Sequence, residues 1–214
     1  MTPERPGPDE PGDHYFTAEP ASADERRTLS VELAGAPREV EVAPGVFSPG
    51  RIDAGTSVLL RQVDLPGSPG TFLDLGCGWG PISLSLALAQ PQATVWGVDV
   101  NQRALDLLRR NAVRLGCDGV RAVTADEVPA DVVFDEIWSN PPIRVGKAVL
   151  HELLRTWLPR LAPGGRAYLV VQKNLGADSL QSWIGRELPG LTAARLASSK
   201  GFRVLRVSRE EPGG

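Results

Sequence analysis

From residue 71 onward, apolar runs of strand length alternate with segments of helical periodicity, and this alternation constrains the fold more than any other feature. Strands that alternate with helices form a parallel sheet with helices on both faces. Two closing strands, 191–197 and 202–208, are separated by only four residues and predict an antiparallel hairpin at the end. The fold class is therefore α/β. The other predicted strands cover residues 71–75, 94–98, 120–124, 134–138 and 166–171, and the predicted helices cover residues 81–89, 102–115, 147–161 and 177–188.

The first 63 residues do not follow this alternation. Residues 1–13 are rich in proline and glycine, and they predict a disordered acidic tail. Residues 28–33 and 38–43 alternate apolar and polar side chains around a Gly-Ala-Pro turn, which predicts a hairpin. Asp53 can cap a helix over 53–63. We therefore expect an extension over residues 14–63 that covers the functional site, followed by one domain over residues 64–214.

Length and composition exclude several classes of protein. A chain of 214 residues with 42% apolar residues fits one domain with a full core. It has no run of 18 apolar residues and no basic, apolar leader, so we expect neither a membrane span nor a secretory signal. Cys77 and Cys117 lack metal-ligand spacing and are expected to be free thiols of a cytoplasmic protein.

Charge is distributed unevenly along the chain. Residues 1–25 contain seven acidic residues and one arginine, a net charge of −6, whereas the whole chain carries −3. The difference leaves a net charge of +3 on residues 26–214, so the body is mildly basic. This balance permits contact with nucleic acid without demonstrating it.

An acidic residue and three alternate glycines lie where the first strand turns into a helix, in Asp74-Leu75-Gly76-Cys77-Gly78-Trp79-Gly80. Glycine permits a tight turn and a close approach of the main chain to a ligand at the carboxyl end of a strand. A carboxylate repels a diphosphate but attracts the ammonium group of a methionine moiety. The motif therefore favours S-adenosylmethionine over a nicotinamide dinucleotide, with a purely structural glycine turn as the alternative.

Acidic residues also close the next two strands. Asp99 ends the second strand, where a carboxylate can accept hydrogen bonds from both ribose hydroxyls or can cap the following helix. Asp126 follows the third strand and can accept from an adenine amino group, or it is a plain loop acid.

An amide and two prolines end the fourth strand, in Asn140-Pro141-Pro142. A planar amine has a lone pair delocalised into its ring, so it must be held by its hydrogens while it attacks a methyl group. The Asn140 side-chain oxygen and the Pro141 carbonyl are two acceptors that can do this, and the prolines offer no competing N–H. The alternative is a proline-rich turn.

Together these motifs resemble a class I S-adenosylmethionine-dependent methyltransferase. The chain is similar, more narrowly, to the small-subunit ribosomal RNA guanine-N2 methyltransferases, on the basis of His14-Tyr15-Phe16, Gly45-Val46-Phe47-Ser48, Asp53-Ala54-Gly55-Thr56 and Ser139-Asn140-Pro141-Pro142. The resemblance implies a Rossmann-like, seven-stranded sheet of order 3-2-1-4-5-7-6 with strand 7 antiparallel.

The resemblance also implies roles for individual residues. Ile143 stands where the family has an aromatic that stacks on the target base. The implied catalytic residues are Asn140, Pro141, Pro142 and Ile143, the implied substrate-binding residues are Phe47, Ser48, Ile143 and Arg144, and the implied cofactor-binding residues are Asp74, Gly76, Cys77, Gly78, Gly80, Asp99, Val100, Asp126 and Asn140.

The expected function is methyl transfer to an exocyclic amine, guanine N2 in ribosomal RNA, with S-adenosylmethionine as the cofactor, ribosomal RNA or the small ribosomal subunit as the partner, and no metal. Two alternatives stay open: a glutamine amide of a protein or a small-molecule amine as the acceptor, and a non-catalytic RNA-binding or assembly factor on the same scaffold. The sequence does not determine the oligomeric state.

Overall fold

A computed structural model describes residues 25–142 and 146–211 of the chain. The predicted tail, residues 1–13, and two predicted substrate-binding residues, Ile143 and Arg144, lie outside the described residues.

The strands are β1 (Arg27–Leu33), β2 (Ala36–Val42), β3 (Thr71–Leu75), β4 (Thr94–Val98), β5 (Val120–Val123), β6 (Phe134–Ser139), β7 (Leu161–Gln172), β8 (Leu191–Ser199) and β9 (Phe202–Arg209). They form two sheets, and both agree with the sequence pattern. A two-stranded antiparallel sheet pairs β1 with β2, and a seven-stranded sheet has the order β5-β4-β3-β6-β7-β9-β8. Counted from β3, this is the predicted order 3-2-1-4-5-7-6, and the prediction is confirmed. Within the large sheet, β9 alone runs in the direction opposite to the other six strands.

The helices are α1 (Ala54–Gln62), α2 (Pro81–Ala89), α3 (Gln102–Leu115), α4 (Lys147–Trp157) and α5 (Ala177–Glu187). They cover both faces of the large sheet and create one apolar core on each side. The first core contains apolar residues of α1, α2 and α3 together with the small sheet, and the second contains those of α4 and α5. Burial of both faces explains why the central strands are continuous apolar runs. None of these described helices is long and apolar enough to cross a membrane.

A buried asparagine fixes the small sheet against the large one. Asn111 of α3 is fully buried. Its Oδ1 accepts from the Glu41 N–H at 2.6 Å, and its Nδ2 donates to the Glu41 carbonyl at 3.0 Å and the Trp79 carbonyl at 3.2 Å. Because a buried amide is stable only when its polar atoms are paired, this residue holds β2 and the glycine turn in one arrangement.

The helix predicted over 147–161 is wrong at its end. The α-helix stops at Trp157, a short 3-10 turn covers Leu158–Arg160, and Leu161 already pairs with Phe134 in the sheet. Pro159 cannot donate the hydrogen bond that would continue the helix. Apolar periodicity alone could not separate the end of a buried helix from the start of a buried strand.

The segment Pro163-Gly164-Gly165 lies within the irregular start of β7, where the register against β6 shifts. A side chain at position 165 would come within 2.8 Å of the Ala162 carbonyl oxygen and 3.1 Å of the Asp135 carbonyl oxygen. Gly165 therefore permits the main chain of β7 to approach that of β6 closely at this irregularity.

Candidate functional site

A cavity of about 320 Å³ opens at the carboxyl edge of the large sheet, where β3, β4 and β6 end. Among the described residues that line it, the charged ones are Asp53 and Asp99, so the lining carries negative charge. Such a cavity attracts a cation and repels a diphosphate. The lining residues are Phe47, Asp53, Leu75, Gly76, Gly78, Val98, Asp99, Val100, Asn101, Ala104, Ala125, Asn140, Pro141, Pro142, Leu153, Trp157, Gln172, Leu175 and Phe202.

Gly76 and Gly78 form the floor of the cavity. Their φ angles are +79° and +55°, and a Cβ atom at either position would meet no atom within 4 Å. The N–H groups of Gly76 and Cys77 donate to the Val98 carbonyl at 2.8 and 3.0 Å, which holds the turn against β4. The two glycines therefore leave open space in which a ligand can approach the main chain.

Gly80 and Cys77 have a different environment from those two glycines. A Cβ atom at Gly80 would lie only 2.3 Å from Leu108 Cδ1, so this glycine allows α2 and α3 to pack closely. Cys77 is buried, and burial raises the pKa of its thiol well above the usual value. Cys77 lines a smaller, adjoining cavity of about 20 Å³, and neither residue lines the large one.

Asp99 lines the cavity and accepts hydrogen bonds from backbone N–H groups. Its Oδ2 accepts from the Gly78 N–H at 2.9 Å, and its Oδ1 accepts from the Asn101 N–H at 2.9 Å. Burial raises the pKa of this carboxyl. The N-cap of α3 is Asn101, whose side chain accepts from the N–H groups of the first turn. Asp99 therefore does not cap the helix, and the remaining lone pairs of its carboxylate are available for other donors.

Asp74 is almost completely buried and does not line the large cavity. Its Oδ2 accepts from the N–H of Ser83 at 2.9 Å and from the hydroxyl of Ser83 at 2.7 Å. Its Oδ1 is buried without a partner among the described residues. Burial raises the pKa of Asp74 to about 7. The structure thus places Asp74 as an anchor beneath the first turn of α2, and its expected contact with a cofactor ammonium stays a prediction.

The other two predicted cofactor residues lie near the opening. Val100 lines the cavity and is 55% exposed. Asp126 is exposed and outside the lining, whereas its neighbour Ala125 lines the cavity. The nearby Thr124 side chain lowers the pKa of the Asp126 carboxyl. A hydrogen bond from Asp126 to a ligand also stays a prediction.

Asn140 lies at the end of β6 and is held by the first turn of α1. Its Nδ2 donates to Asp53 Oδ2 at 2.8 Å and to Thr56 Oγ1 at 3.1 Å. A carboxylate can only accept, so the amide nitrogen must face Asp53 and the amide oxygen is left for another donor. Pro141 and Pro142 continue the wall of the cavity, and their expected catalytic roles stay predictions.

A loop between β2 and α1 brings Phe47 and Ser48 to the site. Phe47 lines both cavities and is 39% exposed. Ser48 lines only the smaller one, and its hydroxyl donates to the Arg51 carbonyl at 2.8 Å. The loop is fixed to the end of β4 because Asn101 Nδ2 donates to the Gly45 carbonyl at 2.7 Å.

Sequence reasoning missed several lining residues, and most carry no local signal. Leu153 and Trp157 are ordinary apolar positions of α4, and Gln172 and Leu175 follow β7. Phe202 had a usable signal. It begins a strand predicted to be antiparallel, and the start of such a strand lies at the same edge as the ends of the parallel strands.

No group of His, Cys, Asp or Glu that could hold a metal ion is found among residues 25–142 and 146–211.

Comparison with known proteins identifies the family to which the chain belongs. A family model for the methyltransferase small domain matches residues 38–206. The chain is 35% identical over 170 residues to the uncharacterized protein YbxB of Bacillus subtilis, covering 78% of this chain and 85% of the relative. It is 33% identical over 190 residues to the ribosomal RNA small subunit methyltransferase C of Stutzerimonas stutzeri, covering 86% of this chain and 54% of that protein.

A solved structure agrees with these sequence relatives. The 16S rRNA N2 methyltransferase of Thermus thermophilus, in complex with AdoMet and guanosine, matches with a TM-score of 0.74 and 25% sequence identity. The match covers 89% of this chain and 52% of that one. The chain therefore spans about half the length of the rRNA methyltransferases that it matches.

Proposed function

This chain belongs to the methyltransferase small domain family and uses S-adenosylmethionine, and we propose that it transfers the methyl group to N2 of guanine in ribosomal RNA. The observation that carries this proposal is the environment of Asn140. Its amide nitrogen is bound to Asp53 and Thr56, which leaves the amide oxygen as the acceptor of a residue that lines the cavity.

The residues of the cavity fit the cofactor. Gly76 and Gly78 leave open space above the turn for a chain that runs along the backbone. The carboxylate of Asp99 lines the cavity and can accept hydrogen bonds from ribose hydroxyls. The negative lining suits a sulfonium and an ammonium group, and it contains no described Lys or Arg that would recognise a diphosphate.

The sulfonium supplies an electrophilic methyl group and a neutral leaving sulfur. In the proposed reaction, Asn140 Oδ1 and the Pro141 carbonyl accept the two hydrogens of the amine and direct its lone pair at the methyl carbon. The N–C bond forms as the C–S bond breaks, the electron pair stays on sulfur, and the nitrogen then releases a proton to water. Catalysis is then mostly alignment, since a well-oriented pair of reactants needs little further help.

The nature of the acceptor is supported by two relatives. One is named as a methyltransferase of small-subunit ribosomal RNA, and another was solved with guanosine. Guanine in folded RNA must be unstacked to enter such a cavity, at a cost of a few kcal/mol. We propose that Phe47, Ile143 and Arg144 contact the flipped base or its neighbours, and that residues 14–63 cover the site while residues 64–214 hold the cofactor. Such a substrate places the protein in the cytoplasm.

The decisive experiment compares ribosomal RNA nucleosides from wild-type and deletion strains by mass spectrometry. We expect one N2-methylguanosine to be lost from 16S RNA in the deletion strain. It should be restored by the gene and not by an Asn140→Ala variant. Purified protein with labelled cofactor should then methylate RNA or small subunits from the deletion strain.

Two other results would replace this proposal. Label on a protein glutamine or on a small molecule, with rRNA nucleosides unchanged, would move the activity to another amine. Absence of cofactor binding in calorimetry would instead indicate an assembly factor on a methyltransferase scaffold.

A further inference from the structure

We propose that Asp53 and Thr56 are positioning residues that hold the Asn140 amide in its productive orientation. This inference rests on the proposed transfer to an amine. It assigns to the start of α1 a part in the reaction beyond covering the site.

The contacts join parts of the chain that are far apart in sequence. Asp53 lies 87 positions before Asn140, and Thr56 lies 84 positions before it. Both bonds go to the same atom, Asn140 Nδ2, at 2.8 and 3.1 Å. One NH₂ group has two hydrogens, so these two acceptors use both and prevent the amide from rotating by 180°.

The start of α1 is shaped to permit this approach. A Cβ atom at Gly55 would lie 3.1 Å from Asn140 Oδ1 and 3.0 Å from Asp53 Oδ2. The same carboxylate oxygen of Asp53 also accepts from the Gly55 N–H at 2.7 Å, which caps the helix. The helix start, the carboxylate and the amide therefore form one tightly packed unit.

The charge of Asp53 acts in the direction that the reaction needs. Hydrogen bonds in a chain polarise one another, so a carboxylate bound to Nδ2 makes Oδ1 a stronger acceptor. The acceptor nitrogen becomes cationic as its bond to the methyl carbon forms. Asn140 Oδ1 receives the N–H of that cation, and the Asp53 charge stabilises it through the amide.

The test must separate this role from helix capping, and the chain offers suitable variants. Asp53→Ser keeps a residue that caps helices well, but its short hydroxyl does not reach Asn140. Asp53→Asn keeps both a cap and an acceptor. Thr56→Val removes the hydroxyl and keeps the shape, whereas Thr56→Ser restores the hydroxyl.

We expect Asp53→Ser to lower kcat about 10- to 30-fold with the melting temperature nearly unchanged, and to weaken cofactor binding by less than about fivefold through the loss of one negative charge from the lining. Thr56→Val should lower kcat about threefold. Asp53→Asn and Thr56→Ser should stay within about threefold and twofold of wild type. In an Asn140→Ala background, Asp53→Ser should have no further effect, because residues that act through a shared partner are not additive.

Two results would overturn the inference. One is a full, additive loss when Asp53→Ser is combined with Asn140→Ala, which would mean that Asp53 acts directly on a ligand. The other is an unchanged kcat in both Asp53→Ser and Thr56→Val.

A measurement without substrate distinguishes failure of this inference from failure of the proposed function. In ¹⁵N-labelled protein, the side-chain NH₂ signal that Asn140→Ala removes should exchange slowly with solvent. It should exchange faster in Asp53→Ser but not in Asp53→Asn. If the Asn140 NH₂ group exchanges slowly but no methyl group is transferred to rRNA, the RNA acceptor alone is rejected. If the NH₂ group exchanges at the same rate in all variants, the positioning role is rejected.

We also infer, from an independent observation, that the three lysines form a surface for the RNA phosphates around the target base. Lys147 begins α4, Lys173 follows β7, and Lys200 lies in the turn between β8 and β9. All three therefore lie at the carboxyl edge, where the cavity opens. The Lys173 N–H donates to the Gly201 carbonyl at 2.9 Å, so two of these segments are joined directly.

These lysines differ from most described arginines. The three side chains are exposed, and no residue in the described ranges forms an ion pair with them. Many arginines are instead bound within the protein, by backbone carbonyls in the case of Arg103, Arg109, Arg160 and Arg209, and by carboxylates in the case of Arg110, Arg114, Arg155, Arg186 and Arg203. Free ammonium groups at the opening are suited to phosphates.

The experiment compares two triple variants that remove the same charge. One variant changes Lys147, Lys173 and Lys200 to Gln. The control changes Arg61, Arg114 and Arg186 to Gln. Each of these arginines lies in the last turn of a helix that ends at the edge of the large sheet opposite the cavity. Binding to 16S RNA is measured against salt. Each lost phosphate contact should reduce the slope of log K against log salt by roughly 0.7–0.9.

We expect a slope smaller by about two and at least tenfold weaker binding for the lysine variant, and less than twofold weaker binding for the control. Equal losses in both variants, or no loss in either, would overturn this surface. If the wild-type protein binds 16S RNA but transfers no methyl group to it, the proposed acceptor is rejected. The comparison of the two triple variants in RNA binding would still test the lysine surface.

Discussion

The two halves of the cavity are built in different ways. The half at the ends of β3 and β4 contains Gly76, Gly78 and Asp99, which lie within 24 consecutive residues and are joined through backbone groups. The half at the end of β6 contains Asn140, which is bound by Asp53 from the segment before α1 and lies near Phe202 from the start of β9.

This difference indicates a division of roles. The first half offers main-chain turns and one carboxylate, so substitutions there should change how tightly the cofactor binds. The second half offers side chains held by other side chains, so substitutions there should change the rate of transfer. The following variants test whether substitutions in the first half change cofactor affinity and substitutions in the second half change turnover. They are given in order from the largest expected effect to the smallest.

Asn140→Ala should lower turnover about a hundredfold or more and change the cofactor Kd less than threefold. Misplacing a nucleophile by about 1 Å costs on the order of a hundredfold. Methyl transfer from labelled cofactor and calorimetry measure the two quantities. Wild-type turnover on the true substrate would mean that Asn140-Pro141-Pro142 is only a turn. A large loss of cofactor affinity would remove the proposed boundary between the halves.

Asp99→Ala should weaken binding of S-adenosylmethionine at least tenfold, with folding intact. Each charge-assisted hydrogen bond lost to a hydroxyl contributes roughly 1.5–3 kcal/mol. Turnover at saturating cofactor should fall much less than in Asn140→Ala. If calorimetry gave an unchanged Kd, Asp99 would serve only to hold the Gly78 and Asn101 N–H groups.

Gly78→Ala should weaken cofactor binding about tenfold. An alanine is strained at a φ of +55°, and its methyl group would project into the open space above the turn. Gly116→Ala is the matched control, since Gly116 has a φ of +67°, also with no atom within 4 Å, and lies at the end of α3. Both variants should lose roughly 1–2 kcal/mol of stability, but only the first should lose affinity. Equal affinities would contradict a cofactor-binding role for the turn.

Asp74→Asn should have the smallest effect on turnover but should alter the pH dependence of stability. The folded pKa of Asp74 is about 7, whereas an unfolded aspartate titrates near ~3.9. The folded protein binds this proton more tightly, so the stabilising contribution is complete below about pH 4 and is lost as the pH rises towards 7. Denaturant titrations from pH 4 to 7 should show wild type losing up to about 1.4 kcal/mol per pH unit relative to the variant. Parallel curves would show that Asp74 is already ionised in this range.

The sequence by itself determined the order of elements and the sheet that follows from it. Alternation of apolar strands with periodic helices permits few topologies, because crossovers are right-handed and parallel strands need a helix between them. It also located Gly76, Gly78, Asp99 and Asn140, since residues that follow parallel strands meet at one edge. The apolar pattern failed at Leu161, where the end of a buried helix runs almost directly into the start of a buried strand.

Only the tertiary structure decided which side chains meet. It placed Asp74 beneath α2 instead of in the cavity, and it gave the helix cap to Asn101 and left Asp99 for other donors. It also showed that Asp53, which the sequence identified as a helix cap and as part of a family motif, is a hydrogen-bond partner of Asn140. The physical reason is that local patterns fix the backbone of each element, whereas contacts between residues more than 80 positions apart depend on how the elements pack.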